Sequence, residues 1–435
     1  MQPNLRDIYQ AYQSSSGIIT DTRKIKKDCF FIALKGSRFN GNTFAKEALS
    51  KGAAYVVVDE EAYMVDDRCI LVADGLQLLQ ELARHHRDQF SIPVIAITGS
   101  NGKTTTKELL AAILGTTYQT HFTQGNLNNH IGVPLTLLAM PLQTEVAIIE
   151  MGANHQREIA ALCNIAKPTH GVITNIGKAH LEGFGGLEGV KKGKAELYDF
   201  LAANNGVAFI NQDEAFLEDL ATSVFRKIYY KSSPSLNEKN PVFELKLQQE
   251  NPYLQVAILN LPGQSSIIET QLIGLYNFNN IMTAVAIGRY FKVIIPNIKK
   301  AVASYLPKNN RSEIRKIGTN TFLLDAYNAN PSSMTAALDN FDTIKANKKL
   351  IILGDMLELG EFSAAAHQNI LTRIGGKDVN AVVVGAYFKS GAQAQKVKHF
   401  PDVAALKSWF EKAKITDTYI LLKGSRGIGL EKLLA

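Results

Sequence analysis

The chain has 435 residues, 46% apolar and 20% charged, which predicts about three packed domains and excludes low-complexity or fibrous classes. Its formal charge of +7 is modest: it either favours anionic ligands such as nucleotides or serves solubility alone, and with no nucleic-acid module beside it nucleic-acid binding is not expected. No apolar run approaches the roughly 20 residues of a membrane span, the opening Met1-Gln2-Pro3-Asn4 lacks a leader profile, and the scattered Cys29, Cys69 and Cys163 suit buried thiols in a reducing cytoplasm.

The first stretch, to about residue 90, predicts a small α/β unit. Strands are expected over 28–34 and 54–58, with a helix over 44–51 between them and a second, charge-rich on one side, over 76–90. Two polar clusters, Thr20-Asp21-Thr22-Arg23 and Lys35-Gly36-Ser37-Arg38-Phe39-Asn40-Gly41-Asn42, flank the first strand and read, alone, as loops. Ser91-Ile92-Pro93 is an expected hinge into the next domain.

The centre of the chain is Val94-Ile95-Ala96-Ile97-Thr98-Gly99-Ser100-Asn101-Gly102-Lys103-Thr104-Thr105-Thr106. An apolar, β-branched run breaks at a short Gly loop, and a helix is expected from Lys107 onward. Strand, Gly loop and helix form the arrangement that cradles phosphates. Backbone N–H groups and the positive helix end face the anion, Lys103 reaches the outer phosphates, and the Thr104 hydroxyl falls where Mg²⁺ binds. The general pattern has a glycine five residues before Gly102, where this chain has Ile97. Nucleotide binding is the expectation.

Next, Thr123-Gln124-Gly125-Asn126-Leu127-Asn128-Asn129-His130-Ile131-Gly132-Val133-Pro134 is either a long turn or a polar substrate loop. A buried strand over 146–152 ends in Glu150, at the strand end where α/β sheets hold ligands. That carboxylate either meets Mg²⁺ or serves as a cap or ion-pair partner. A strand over 170–176 leads to His180, read alone as a loop histidine, and then to a helix whose Lys191, Lys192 and Lys194 read as a solvated basic face. Further on, a strand is expected over 208–211, and antiparallel β structure over about 224–268 with a turn at Leu261-Pro262-Gly263. The Asn residues of Gly274-Leu275-Tyr276-Asn277-Phe278-Asn279-Asn280 either cap a helix or offer amides to a base.

The last domain begins near Pro307. Strands expected over 321–325, 350–356, 381–385 and 419–422, with a helix over 332–341, imply a mostly parallel sheet. Lys423-Gly424-Ser425-Arg426-Gly427 closes the series as a basic turn.

Taken in order, Thr98 to Thr105, Gly125-Asn126-Leu127-Asn128-Asn129, Glu150-Met151-Gly152, Asn175-Ile176-Gly177-Lys178-Ala179-His180-Leu181, Lys194-Ala195-Glu196, Asn277 to Asn280, Arg311 and Asp325-Ala326-Tyr327-Asn328-Ala329-Asn330-Pro331 resemble the Mur ligases of bacterial peptidoglycan synthesis. The resemblance covers nearly the whole chain, including Asp21-Thr22-Arg23 and Leu34-Lys35-Gly36. It implies an α/β fold of three domains. A small N-terminal α/β domain over 1–90 would bind the UDP-substrate. A central P-loop-type domain with a mostly parallel sheet over 91–306 would bind ATP, and a C-terminal Rossmann-like domain over 307–435 would close over ATP and take the incoming amine. Tyr327-Asn328-Ala329-Asn330-Pro331-Ser332-Ser333-Met334 and Glu182-Gly183-Phe184-Gly185 are similar to members that add D-alanyl-D-alanine to UDP-N-acetylmuramoyl-tripeptide. The Asp-Asn-Pro-Arg motif of the diaminopimelate-adding relative is replaced by Asn330-Pro331-Ser332, and Tyr276-Asn277 stands where relatives commonly have His-Asn.

The resemblance also assigns residues. Gly99, Ser100, Asn101, Gly102, Lys103, Thr104 and Thr105 would hold the phosphates of ATP, while Thr104 and Glu150 would place a first Mg²⁺ ion. His180 would serve a second, with Lys194 at the position of the family's carbamylated lysine. Asn280 would contact adenine, Arg311 the γ-phosphate and Asp325 the ribose, making Lys103, His180, Lys194 and Arg311 the catalytic set. Asp21, Thr22, Arg23, Lys35 and Gly36 would bind the uridine diphosphate end, and Asn128, Asn129, Asn328 and Asn330 the peptide and dipeptide. A cytoplasmic monomer is expected. Two other readings stay open: another amino-acid-adding Mur ligase or folylpolyglutamate synthase-like ligase, separated by amine preference, and a nucleotide-hydrolysing switch.

Overall fold

The computed structural model describes residues 4–37, 39–232, 243–251, 253–261, 264–375 and 380–434. Arg38 of the second polar cluster, and Pro262 and Gly263 of the expected turn, lie outside the described residues. The chain is α/β with mostly parallel sheets, as the alternation of apolar runs and helical periods implies. It packs as two compact units, Met1–Ala96 with Tyr118–Gly152 and Glu158–His170, and Ile97–Thr117 with Ala153–Arg157 and Gly171–Ala435. No helix among the described residues is long and apolar enough to cross a membrane.

In the first unit, four parallel strands lie in the order Ile18–Ile19, Phe30–Ile32, Tyr55–Val58, Cys69–Leu71. The second is shorter than the expected 28–34 because Cys29 N donates to Lys26 O, closing a turn there. Cys29 and Cys69 pack with Phe31, Ala45, Val56 and Val58 in the core of this sheet, as the sequence suggested for its thiols. Helix Gly75–Arg87 is opened by Asp74, whose side chain accepts from Gln77 N. Its charged residues are not all solvated. Arg87 is buried and donates to the carbonyls of Phe90, Ala166 and Lys167, which removes the cost of desolvating its guanidinium. His86 is buried too, between Tyr9 Oη and Met140 O.

Strands Val146–Glu150 and Thr120–Phe122 run parallel in the same unit. The Asn-rich stretch is a loop only as far as Ile131. Helix Gly132–Leu138 starts inside it, because Asn129 Oδ1 accepts from the N–H groups of Ile131 and Gly132, and Pro134 is tolerated in a first turn.

In the second unit, strands Val207–Asn211, Arg226–Lys231, Phe243–Gln249, Gln255–Leu261 and Gln264–Glu269 are neighbours in sequence order. The last three are antiparallel, as expected for 224–268. Arg226–Lys231 instead runs parallel to Val207–Asn211, since the chain returns through helix Leu217–Leu220 rather than a tight hairpin. The C-terminal sheet has the order Glu313–Ile317, Asn320–Asp325, Tyr419–Lys423, Lys349–Gly354, Asn380–Val384, Lys398–Phe400. Only its first pair is antiparallel. Phe322, Leu324, Ile352, Val384 and Leu422 fill one face.

Candidate active site

The phosphate loop leaves a fully buried strand, Val94–Thr98, and turns on two glycines. Gly99 has φ +140° and Gly102 φ +81°. A Cβ at Gly99 would lie 2.0 Å from Thr174 Oγ1, and one at Gly102 would lie 2.2 Å from Asn280 Oδ1. Neither position admits a side chain, so the close spacing of glycines is a packing requirement. The loop is braced by the segment after strand His170–Ile173. Ser100 N donates to Asn175 O, Asn101 N to Asn175 Oδ1, and Thr174 Oγ1 to Asn101 O.

The following helix begins at Lys103, four residues earlier than its propensity suggested. Three consecutive threonines are poor helix formers. Here Thr104, Thr105 and Thr106 are buried, so packing overrides propensity. Lys103 folds back, its Nζ donating to Gly99 O at 2.7 Å. Thr104 thus sits in the first helical turn, beside the anion-attracting end.

An amide chain backs this loop. Thr106 Oγ1 donates to Asn280 Oδ1, Asn280 Nδ2 donates to Asn277 Oδ1 at 2.9 Å, and Asn277 Nδ2 donates to Ser312 Oγ. Tyr276 Oη meets the same Ser312 Oγ at 2.7 Å, and burial pushes its hydroxyl well above the ordinary phenol value. Both ends of the Asn280 amide are therefore engaged by the protein. These contacts brace the asparagines against one another and do not cap the helix, which is opened by Gly274 with no side-chain cap.

Next to Ser312, the Arg311 guanidinium carbon lies 3.5 Å from the centroid of the Tyr327 ring. Tyr327 belongs to the turn that follows strand Asn320–Asp325. Asp325 is bound by the buried Lys423, Nζ to Oδ2 at 2.7 Å, and the same ammonium donates to Asn328 O. Asn328 Oδ1 accepts from Ala329 N. Asn330 opens helix Pro331–Thr343 with a capping box shared with Ser333, and its Nδ2 donates to Asn101 Oδ1 at 2.8 Å. Ser332 Oγ accepts from Lys178 N at 3.1 Å.

On the expected metal side, His180 has a left-handed backbone, φ +53°, and its imidazole pairs with Glu358. That hydrogen bond holds the Glu358 carboxyl below its ordinary range. Lys194 departs from the solvated helix that composition suggested. On helix Leu187–Ala203 it is 2% exposed, with Nζ 5.3 Å from the centroid of Phe184, whereas Lys191 reaches the carboxylate of Glu188. Lys191 and Lys194, three residues apart, lie on neighbouring positions of one side of the helix, and the solvated lysine of the three is Lys192.

The remaining expected residues lie in the first unit. Glu150, 1% exposed, ends strand Val146–Glu150, its Oε1 accepting from Asn128 Nδ2 at 2.7 Å. Asn129 Oδ1 accepts from the N–H groups of Ile131 and Gly132, as described. Asp21 accepts from Arg23, which holds its carboxyl down to about 2, while Thr22 opens the short helix Thr22–Lys24. Lys35 pairs with Asp59 and Glu60, and Gly36 abuts the Phe39 ring. Among the described residues, no group of three His, Cys, Asp or Glu side chains could by itself hold a metal ion. A threonine hydroxyl in a first helical turn and a nearly inaccessible carboxylate are hard oxygen donors of the kind Mg²⁺ takes.

The residue motifs match three family descriptions in chain order: "Mur ligase family, catalytic domain" over 15–87, "Mur ligase middle domain" over 97–288, and "Mur ligase, glutamate ligase domain" over 310–426. UDP-N-acetylmuramoyl-tripeptide--D-alanyl-D-alanine ligase of Bacillus subtilis (strain 168) is 34% identical across 96% of this chain and 92% of its own length. The chain belongs to the Mur ligase family. This Mur ligase also resembles MurF from Acinetobacter baumannii, at 29% identity and TM-score 0.85 over 99% of this chain and 97% of that one. The MurF ligase of Thermotoga maritima, solved in complex with ADP, is 26% identical with TM-score 0.80, covering 96% of each chain.

The sequence of this Mur ligase did not mark Glu358, and gave no individual role to Tyr327 and Lys423; the structure sets the three against His180, Arg311 and Asp325. Each meets its partner only through the fold. A strand-end Asp or a loop His does announce that a partner is needed, but not which one.

Proposed function

We propose that the chain is an ATP-dependent ligase that joins D-alanyl-D-alanine to UDP-N-acetylmuramoyl-tripeptide, giving UDP-N-acetylmuramoyl-pentapeptide, ADP and phosphate in the cytoplasm. The observation that carries this reading is the bond from Asn330 Nδ2 to Asn101 Oδ1, which sets a C-terminal turn against the phosphate loop. A ligase of this kind must deliver an amine to a carboxyl group activated by phosphoryl transfer. ATP and the amine therefore have to meet where these two segments meet.

Residues 1–90, 91–306 and 307–435 are assigned to the UDP-substrate, ATP and amine. Gly99 to Thr105 wrap the phosphates, and Lys103 swings from Gly99 O to the β- and γ-oxygens. Arg311, held flat on Tyr327, offsets charge at the γ-phosphate while the acyl phosphate forms. Asp325 takes the ribose, and Asn280, which lies against Gly102, contacts the adenine. Attack by the amine gives a tetrahedral centre that expels phosphate, and the closed turn at Asn330 keeps water from the acyl phosphate.

Two Mg²⁺ ions would neutralise charge between the anionic reactants. Thr104 and Glu150 would hold one, and His180 with a carbamylated Lys194 the other. The buried position of Lys194 supports that last assignment, because carbamylation converts an amine that is costly to bury in charged form into an oxygen donor. Asp21, Thr22, Arg23, Lys35 and Gly36 bind the uridine diphosphate, with Asn128, Asn129 and Asn328 toward the peptide parts.

The test is phosphate release from ATP and Mg²⁺ with UDP-N-acetylmuramoyl-tripeptide, carrying diaminopimelate or lysine, with and without D-alanyl-D-alanine. Release that requires the dipeptide, with a product heavier by that unit, is expected. Release driven by a free L-amino acid would move the chain to another amino-acid-adding ligase. Release with no amine at all would favour a hydrolysing switch.

A further inference from the structure

His180 and Glu358 share an unusual backbone. Both lie in the left-handed region, at φ +53° and φ +63°. That region is costly for a residue with a Cβ, and glycine is its usual occupant. At both positions the chain keeps an ionisable side chain instead, and the two side chains meet, His180 Nδ1 against Glu358 Oε2. Strain kept at such a contact points to a demand other than folding.

Stability does not account for the pair. The Glu358 side chain is 54% exposed, so solvent screens its charge, and ion pairs of that kind contribute little to folding. His180 Nδ1, in contrast, is shielded from solvent. The carboxylate therefore acts on the ring more than on the fold.

The loop that presents Glu358 is fastened one residue at a time. It leaves strand Lys349–Gly354 at Asp355, which is buried and accepts from Tyr387 N through Oδ2 at 2.9 Å and from Phe388 N through Oδ1 at 3.1 Å. Met356 N donates to His367 Nε2 at 3.0 Å, and Leu357 N donates to Ser425 Oγ at 2.9 Å. Past Glu358, the buried Leu359 returns the chain to the interior. The loop also rests on the short helix Leu181–Phe184 that follows His180. Glu358 O accepts from Glu182 N, and a Cβ at Gly360 would lie 3.1 Å from Glu182 Cβ. Glu358 is thus a half-exposed carboxylate on a backbone held from both sides.

We propose that Glu358 is a positioning residue for His180, its carboxylate keeping the imidazole proton on Nδ1 so that Nε2 is the bare nitrogen offered to a divalent cation. The inference rests on the ligase reading above, in which His180 is assigned to a Mg²⁺ ion. An imidazole binds a cation through one nitrogen, and a carboxylate on the other fixes the tautomer, the ring direction and the basicity. Here that carboxylate comes from the C-terminal sheet, while the imidazole follows strand His170–Ile173. The ring is preset only while the Glu358 loop rests on helix Leu181–Phe184, which makes readiness for the cation conditional on that contact.

The full-length enzyme decides it by two measurements. In metal-free protein with ¹⁵N-labelled histidine, and with His180→Gln to assign the signals, the wild type is expected to carry the His180 proton on Nδ1. Glu358→Gly, which accepts a positive φ without strain, is expected to lose that preference while unfolding at no lower temperature. Mn²⁺ binding followed by electron paramagnetic resonance in the presence of ADP is expected to weaken roughly 10- to 100-fold at one site in the same variant, the usual cost of losing such a partner. The KM for D-alanyl-D-alanine should not change. Glu358→Gln, whose amide oxygen still accepts from Nδ1 but carries no charge, is expected to fall between. An unchanged tautomer, unchanged Mn²⁺ binding, or losses that only follow a lowered unfolding temperature overturn the assignment. A wild-type enzyme that joins no amine to the UDP-substrate removes the ligase reading instead, and the tautomer comparison still decides whether Glu358 sets the ring.

Discussion

Asn330 donates to Asn101 through the same side chain whose oxygen caps its own helix. Oδ1 accepts from Ser333 N at 2.9 Å while Nδ2 reaches Asn101 Oδ1 at 2.8 Å. One residue therefore serves local stability and the joining of two functional segments, and substitution can separate the two. Asn330→Ser retains a capping oxygen but is too short for Asn101. It is expected to unfold within about 0.5 kcal/mol of wild type and to turn over roughly 10-fold more slowly. Asn330→Ala is expected to lose about 1 kcal/mol as well. Chemical denaturation and phosphate release check both, and full turnover in the serine variant would remove Asn101 from the account.

Lys103 has an ammonium resting on Gly99 O. Lys103→Ala is expected to lower phosphate release by at least about 100-fold, because a charge aimed at the transferring phosphoryl group is lost. Unfolding should be little affected, since the ammonium's bonds to Gly99 O and Ser100 O are half-buried contacts within the loop. Activity near wild type would refute the phosphate-loop assignment.

Lys423 is inaccessible, and its partner Asp325 is partly buried, at side-chain exposures of 2% and 18%. Removing one member of such a pair leaves the other charge uncompensated. Lys423→Met is expected to cost about 3 kcal/mol in urea unfolding. A loss below about 1 kcal/mol would mean that solvent already screens the pair.

Lys194→Ala is expected to be almost inactive and to regain part of its turnover when short carboxylic acids are added, since these can occupy the place of a carbamate. Buried surroundings make such rescue specific to a small anion. Absence of rescue by acids, with rescue by alkylamines instead, would show that the lysine acts as a cation.

Glu214 gives a pH signature unrelated to catalysis. Burial, followed by the charge of Asp213, pushes its carboxyl from 4.5 up to about 7. The folded protein then binds a proton that the unfolded chain lacks between those values, so stability falls as pH rises from about 4.5 to 7 and levels above it. Glu214→Gln is expected to be more stable than wild type by about 1–2 kcal/mol at pH 8, after allowance for partial exposure, and equal to it near pH 4. A gain of the same size at both pH values would assign the effect to packing.

How much of this was legible in the chain depended on what each residue needs from its neighbours. The glycine spacing of 99 and 102 was readable because a tight loop constrains its own sequence, and the strand Val94–Thr98 because a wholly buried strand must be apolar throughout. Strand Glu313–Ile317 was not: it is an edge strand with its last three residues exposed, so it carries no apolar run. Lys194 sat in a basic helix whose buried side only packing reveals. Glu358 is invisible for another reason. It reaches His180 from a turn far along the chain, and nothing in its own surroundings marks it.

The clasp made by Arg87 bears on how the protein is born. Its three carbonyl acceptors lie partly beyond residue 160, so the helix it ends cannot complete its contacts until that later segment has been made. On a ribosome adding about 5–20 residues per second, the amino-terminal portion must wait several seconds after its own synthesis, with Arg87 and His86 still in water. The first portion to emerge is thus among the last to be completed, and a nascent chain halted near residue 90 would be a target for chaperones rather than a finished domain.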